Sequence, residues 1–172
     1  MPTPLGHALA GVAIAGLSGS GKRVPVSHIA VLVLCATAPD MDLLLRFVDG
    51  VNHHRGATHS LGAVALVAAL AFVLRRLGVG LPPVPAIGAA WASHVLLDFL
   101  GLDTSPPAGE MALWPWSDAF YVSPVALFYD VRRSFSPSAI GHNAIAVVIE
   151  LLILVPIVMF CWRGTTHRKS NS

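Results

Sequence analysis

Three stretches of this sequence set metal-binding side chains at fixed spacing: Pro39-Asp40-Met41-Asp42, His54-Arg55-Gly56-Ala57-Thr58-His59 and Ser93-His94-Val95-Leu96-Leu97-Asp98. His94 and Asp98 stand four apart, so on a helix they share one face and can hold one cation or hold each other. His54 and His59 flank a glycine turn, with His59 expected in the first turn of a helix and Thr58 as its cap. Asp40 and Asp42 do not share a helical face unless the backbone unwinds, so one ligand and one supporting partner or general base is the natural division. Carboxylates at a helix C-terminus oppose the helix dipole, a penalty that a nearby cation removes. Imidazole nitrogen with carboxylate oxygen suits zinc, ahead of manganese or iron. His7, near the chain start, can complete the cluster. The planar guanidinium of Arg55 can pair with a phosphate beside a metal, or with Asp40, Asp42 or Asp49 in a plain salt bridge.

These residues sit at the edges of long apolar runs. The 172-residue chain is 55% hydrophobic and only 12% charged, with a mean hydropathy of +0.69, far from the balance of a soluble domain. The expected fold is all-α: an integral-membrane bundle of about five hydrophobic helices, forming a single membrane-embedded domain over 1–172. The apolar windows are Leu5–Leu17, Ser27–Leu45, Thr58–Leu77, Val84–Leu102 and Ile140–Trp162. The first, at roughly 13 residues or about 20 Å of helix, falls short of a bilayer core of about 30 Å. A net charge of +2 with no basic run argues against nucleic acid as a partner. Cys35 and Cys161 lie in apolar stretches and read as small core residues. No positive segment precedes the first apolar run, so a cleaved signal peptide is not expected and His7 is retained.

Five spans put Lys22, Arg23, Arg75, Arg76, Arg163, Arg168 and Lys169 on one side, which the positive-inside rule makes cytoplasmic; Arg46, Arg55, Arg132 and Arg133 are the minority opposite. His7, Asp40, Asp42, His54, His59, His94, Asp98 and the Glu110 to Trp116 segment then gather at the outer rim. Ionisable groups at membrane depth usually face the bundle interior and mark function, so this convergence predicts a site there. The 103–139 segment, with Pro106-Pro107 and Trp114-Pro115-Trp116, reads as an interfacial loop in which Glu110 and Asp118 are solvated. His53 is expected in solvent. Glu150 lies in the last apolar span, about 12 Å along the helix from His142, and needs a partner, which could be a metal, an Arg or His, or its own proton. His28 and His167 fall at the cytoplasmic end and carry no chemistry in this reading.

Taken together, Gly6-His7, Pro39-Asp40-Met41-Asp42, His54 to Ser60, Ser93 to Asp98 and Leu113-Trp114-Pro115 make the chain resemble the bacterial membrane-bound metal-dependent hydrolase family, the YdjM-like proteins, from His7 to about Pro115. That family is in turn distantly similar to zinc-dependent phospholipase C and the P1-type nucleases, all-helical enzymes that cleave phosphoesters with metals held among His and Asp. The resemblance implies ligand roles for His7, one of Asp40 or Asp42, His59, His94 and Asp98. It departs at the closing His-x-x-x-Glu pair of the soluble enzymes: residue 146 is Ala, and Glu150 stands eight beyond His142. One or two metal ions is the resulting expectation.

The expected activity is hydrolysis of a phosphoester of a lipid or lipid-linked substrate drawn from the bilayer, by water that the metal activates. Asp40 or Asp42 would accept the proton and Arg55 would neutralise phosphate charge. The expected location is the bacterial cytoplasmic (inner) membrane, multi-pass, with the site extracytoplasmic. No oligomeric state is implied. The alternative is a metal-ion transporter or sensor without hydrolytic activity. Against it, Val31–Cys35, Val64–Phe72 and Pro85–Trp91 offer no ligands along the inner half of the bundle. A helix-locking role for the His–Asp pairs is the third possibility, and it requires no metal.

Overall fold

The computed structural model describes residues 1–19, 22–104 and 106–166. Helix starts follow local chemistry. Thr3 accepts the Gly6 N–H at 3.4 Å and Pro4 fills the first turn of α1 (Pro4–Ser18), where its missing N–H costs nothing. Pro25 precedes α2 (Val26–Thr37). Pro39, which cannot continue the α-helical ladder, opens a tighter 3₁₀ segment (Ala38–Leu44), followed by one helical turn (Arg46–Asp49) that ends at Gly50 with φ 75°. A 3₁₀ turn (Ala57–His59) leads into α3 (Leu61–Arg76), whose cap is Ser60, accepting the Ala63 N–H at 3.0 Å. Thr58, expected as that cap, is instead turned toward Asp42, and His59 precedes the helix rather than lying in its first turn. α4 (Val84–Phe99) follows Pro83, and α5 (Pro137–Thr166) runs 30 residues with Pro156 inside it.

The fold is all-helical among the described residues, with five helices, two isolated β-bridges and no strand. α1 packs against α2, α4 and α5; α4 also packs against α2 and α3. The core between them is mostly alanine, with Ala15, Ala36, Ala71, Ala86 and Ala90 around Leu32 and Ile87. Small residues let helix backbones approach where lipid supplies no hydrophobic drive. Gly11 is the closest approach: a Cβ there would stand 2.7 Å from Val33 Cα of α2. Large apolar side chains point outward instead, among them Leu66, Leu70 and Phe72 of α3 and Leu152, Met159 and Phe160 of α5.

All five apolar windows form helices, but among the described residues only Val26–Asp49 and Pro137–Arg163 are long and apolar enough to cross a bilayer alone. α1, α3 and α4, at 15 and 16 residues, reach about 24 Å. His167, Arg168 and Lys169 lie outside the described residues.

Candidate metal centre

Four elements bring their ends to one place. The 3₁₀ segment after α2 supplies Asp40 and Asp42, the turn before α3 supplies His59, the last turns of α4 supply His94 and Asp98, and the first turn of α1 supplies His7. Nε2 of His59 and Nε2 of His94 lie 3.0 Å apart. Asp40 Oδ1 is 3.6 Å from each, and Asp98 Oδ2 is 3.4 Å from His59 and 3.6 Å from His94. Four ligands bound tetrahedrally at about 2.0–2.1 Å stand about 3.3 Å from one another, so this set has the span of a single cation site. His59, His94 and Asp98 are buried. Asp40 Oδ1 and both Asp98 oxygens have no hydrogen-bond partner among the described residues.

Second contacts orient these groups. His94 Nδ1 donates to the Ala36 carbonyl at 2.8 Å, which leaves its Nε2 lone pair facing the cluster. His59 Nδ1 faces Asp42 Oδ2 at 3.2 Å. Asp42 is saturated: it meets His54 Nδ1 at 3.0 Å, Thr58 Oγ1 at 2.8 Å and the Arg55 backbone N–H at 3.2 Å as well. The tightened 3₁₀ winding therefore sends the two aspartates to different partners. Asp42, His54 and His59 form a second group able to hold an ion, sharing His59 with the first. His7 is fully buried, stacked on His94 with ring centroids 3.8 Å apart, and its Nε2 is 3.2 Å from Asp98 Oδ1.

Other residues go where their types alone did not place them. Arg55 pairs with Asp103, not with Asp40, Asp42 or Asp49, and holds a positive φ of 65°. That left-handed backbone is uncommon outside glycine, and the His54 ring, the Arg55 backbone N–H and the Thr58 hydroxyl all meet Asp42. His53 is the exposed partner of Asp49 at 2.6 Å. His142 pairs with Asp130 at 2.9 Å. Glu150 accepts from the Thr3 backbone N–H and hydroxyl, both at 2.6 Å, so it clamps the start of the helix that carries His7. Asp118 is exposed as expected.

Glu110 is the largest correction. It is 2% exposed, not solvated. The 103–139 segment folds back over the bundle: Met111 N–H donates to the Arg55 carbonyl at 2.9 Å, Leu61 N–H to Ala112 at 2.9 Å and Gly62 N–H to Trp114 at 3.1 Å. Glu110 and Tyr121 exchange both backbone bonds, at 3.0 and 2.8 Å. Burial, with the Asp98 charge adding to it, pushes the Glu110 carboxyl up to about 8. The sequence signal was the Pro106-Pro107 and Gly109 turn chemistry just ahead of Glu110, with Gly109 at φ 90°.

A helical chain with two helices long enough to cross a bilayer and buried His/Asp groups able to hold a metal belongs to the class of helical membrane proteins with a candidate metal centre. More particularly, the chain belongs to the YdjM inner membrane protein family, which it matches over residues 1–168. It is 32% identical over 160 residues to the inner membrane protein YbcI of Escherichia coli (strain K12), covering 88% of this chain and 90% of that relative. Neither match extends to phospholipase C or the P1-type nucleases. No solved structure matches.

Proposed function

We propose that this protein is a membrane-bound metal-dependent hydrolase acting on a phosphoester of a lipid or lipid-linked substrate. The observation that carries the reading is the convergence of Asp40 Oδ1, His59 Nε2, His94 Nε2 and Asp98 Oδ2 on one point, where the two carboxylate oxygens have no hydrogen-bond partner among the described residues and the two imidazole nitrogens face each other. The N/O donor set fits zinc first and manganese next. A divalent ion held there supplies Lewis acidity to a phosphoryl oxygen and lowers the pKa of a water. Asp40, His94 and Asp98 would hold the ion together with His59, whose ring Asp42 fixes, and Asp42 with His54 would form the proton-accepting side of the centre. Arg55, kept in place by Asp103, contributes positive potential beside it.

A cavity of about 310 Å³ next to the centre is lined by His54, Arg55, Asp103, Thr104, Arg132 and Arg133. Arg133 also lines a cavity that reaches Asp40, and a third with Phe135 and Ile140, both exposed. Cationic groups beside the centre and apolar surface beyond them suit an amphiphile with an anionic head. Lys22 and Arg23 follow α1, and Arg75, Arg76 and Arg163 lie in the last turns of α3 and α5, at the ends away from the centre; by the positive-inside rule this supports a multi-pass topology with the centre extracytoplasmic.

The test is metal content and turnover of detergent-purified protein beside a His94→Ala, Asp98→Ala double variant. Zinc or manganese near stoichiometry in the wild type and its loss in the variant is the expected result, with release of phosphate or headgroup from phosphatidic acid or phosphatidylglycerol confined to the wild type. A folded wild type that takes up no metal, or turnover equal in the variant, overturns the proposal.

A further inference from the structure

His142 and Asn143 take no part in the centre, yet both tie the chain ahead of α5 to the first turns of that helix. His142 Nε2 meets the Asp130 carboxylate and carbonyl, each at 2.9 Å. Asn143 brackets Arg132, accepting its backbone N–H and donating to its carbonyl, both at 2.9 Å. The 130–134 segment is thereby a strap of fixed position. Its Arg133 stands on the walls of three cavities: the one of about 310 Å³ that holds His54 and Arg55, one that reaches Asp40, and one lined by Phe135 and Ile140.

The carboxylates in these cavities are matched, which leaves the arginines of the strap. Asp103 is held by Arg55, Asp130 by Thr104 and His142, and Asp40 faces the cation position. Arg132 and Arg133 are exposed, and their guanidinium groups have no hydrogen-bond or ion-pair partner among the described residues. A guanidinium can take two phosphate oxygens at once, in a geometry an ammonium does not offer.

Depth fits a lipid headgroup. From Asn143 to Trp162, α5 runs roughly 28 Å, about the thickness of a bilayer core, and Arg163 follows. Arg132, bonded to Asn143, stands at the boundary away from Arg163, the level at which lipid phosphates lie. Phe135, 99% exposed, and Ile140 offer apolar surface beside it. Gly6 of α1 packs on Glu150, about 10 Å further down α5. The centre, which His7 of the same turn joins, therefore lies inside the apolar stretch, where a lipid reaches it from the side.

We propose that Arg133, with Arg132 beside it, selects the substrate by binding the phosphate of an anionic phospholipid that enters laterally between the 130–134 strap and the Ala38–Leu44 segment. This rests on the proposed metal centre for the direction of entry and adds the groups that recognise the substrate. A choline headgroup carries the same phosphate with a cation that the arginine pair repels, so phosphatidic acid is preferred over phosphatidylcholine.

Binding is read apart from turnover by using phosphonate analogues, whose carbon–phosphorus bond resists hydrolysis. The purified protein in detergent is titrated with a phosphonate analogue of phosphatidic acid carrying a fluorescent acyl chain, followed by anisotropy. The bound label is then competed with the unlabelled analogue, with the phosphonate analogue of phosphatidylcholine, or with inorganic phosphate. In the wild type the choline analogue should compete about tenfold more weakly than the anionic one. Arg133→Gln should lower affinity for the label by about 10- to 100-fold, Arg133→Lys by less, and Arg23→Gln at the opposite end not at all. A wild type that does not bind the label, equal competition by the two lipids, or unchanged affinity in Arg133→Gln overturns the inference. So does inorganic phosphate competing as well as the anionic lipid, which would mark a free-anion site without a lipid route. Binding that depends on Arg133 in a protein that cleaves no natural phospholipid upholds the inference and overturns only the proposed activity.

Discussion

His59 and His94 point their Nε2 atoms at each other across 3.0 Å inside the bundle. Each ring is tied down at its other nitrogen, His94 by the Ala36 carbonyl and His59 by Asp42. Two lone pairs that face each other need a proton or a cation between them. The carboxylates of Asp40 and Asp98 close around the same point, which is the arrangement a cation stabilises.

Asp42 orients rather than binds in this arrangement, so Asp42→Asn should weaken metal affinity by about 10–100-fold while leaving the number of ions at saturation unchanged. Titration of the metal-free protein with zinc against a competing chelator measures this. Loss of an ion at saturating zinc would make Asp42 a ligand instead.

Removing the metal should destabilise the wild type and leave the His94→Ala, Asp98→Ala variant indifferent. At an ion concentration about 1,000 times Kd, linkage gives about 4 kcal/mol. Thermal unfolding in detergent, with and without chelator, reads it directly. Equal melting of the wild type under both conditions would count against a resident ion.

Glu150 joins α5 to the start of α1 through Thr3. Glu150→Gln replaces one acceptor of a charge-assisted pair by a donor, with an expected loss of about 1.5–3 kcal/mol. Metal content should stay at the wild-type level once the variant is folded, because the clamp acts on the helix and not on the ion. A lower melting temperature with unchanged metal is therefore the signature.

Gly11 sits against the α2 backbone, where an added Cβ would stand 2.7 Å from Val33 Cα and 2.9 Å from the Leu32 carbonyl. Gly11→Ala must push α1 from α2 and should cost about 1–3 kcal/mol. Since α1 carries His7 and α2 leads to Asp40, metal affinity should fall with stability, in contrast to Glu150→Gln.

Much of this protein was legible in the residues alone. Apolar windows of helix length, interrupted by Pro25, Pro39 and Pro83, mark the helices because burying backbone in lipid or in a tight bundle leaves no other way to satisfy it. The His94–Asp98 spacing puts both groups on one face whatever the neighbours do, and His54, His59 and Asp40 follow from the same economy of placing costly groups only where a partner waits. The YdjM family match agrees with the motifs that pointed to it.

Tertiary structure decided what depends on partners distant in sequence. Glu110 looks like a loop charge until the backbone bonds to Tyr121 and Arg55 drive its segment into the bundle. Glu150 finds Thr3, and Arg55 finds Asp103, across separations no helical periodicity encodes. The different tasks of Asp40 and Asp42 arise from 3₁₀ winding after Pro39 and from four donors gathered around one carboxylate and not the other. Local sequence determined which groups were available and on which helix face. The packing of helix ends determined which of them meet, because the cost of leaving a buried polar group unpaired is settled only when its neighbours are in place.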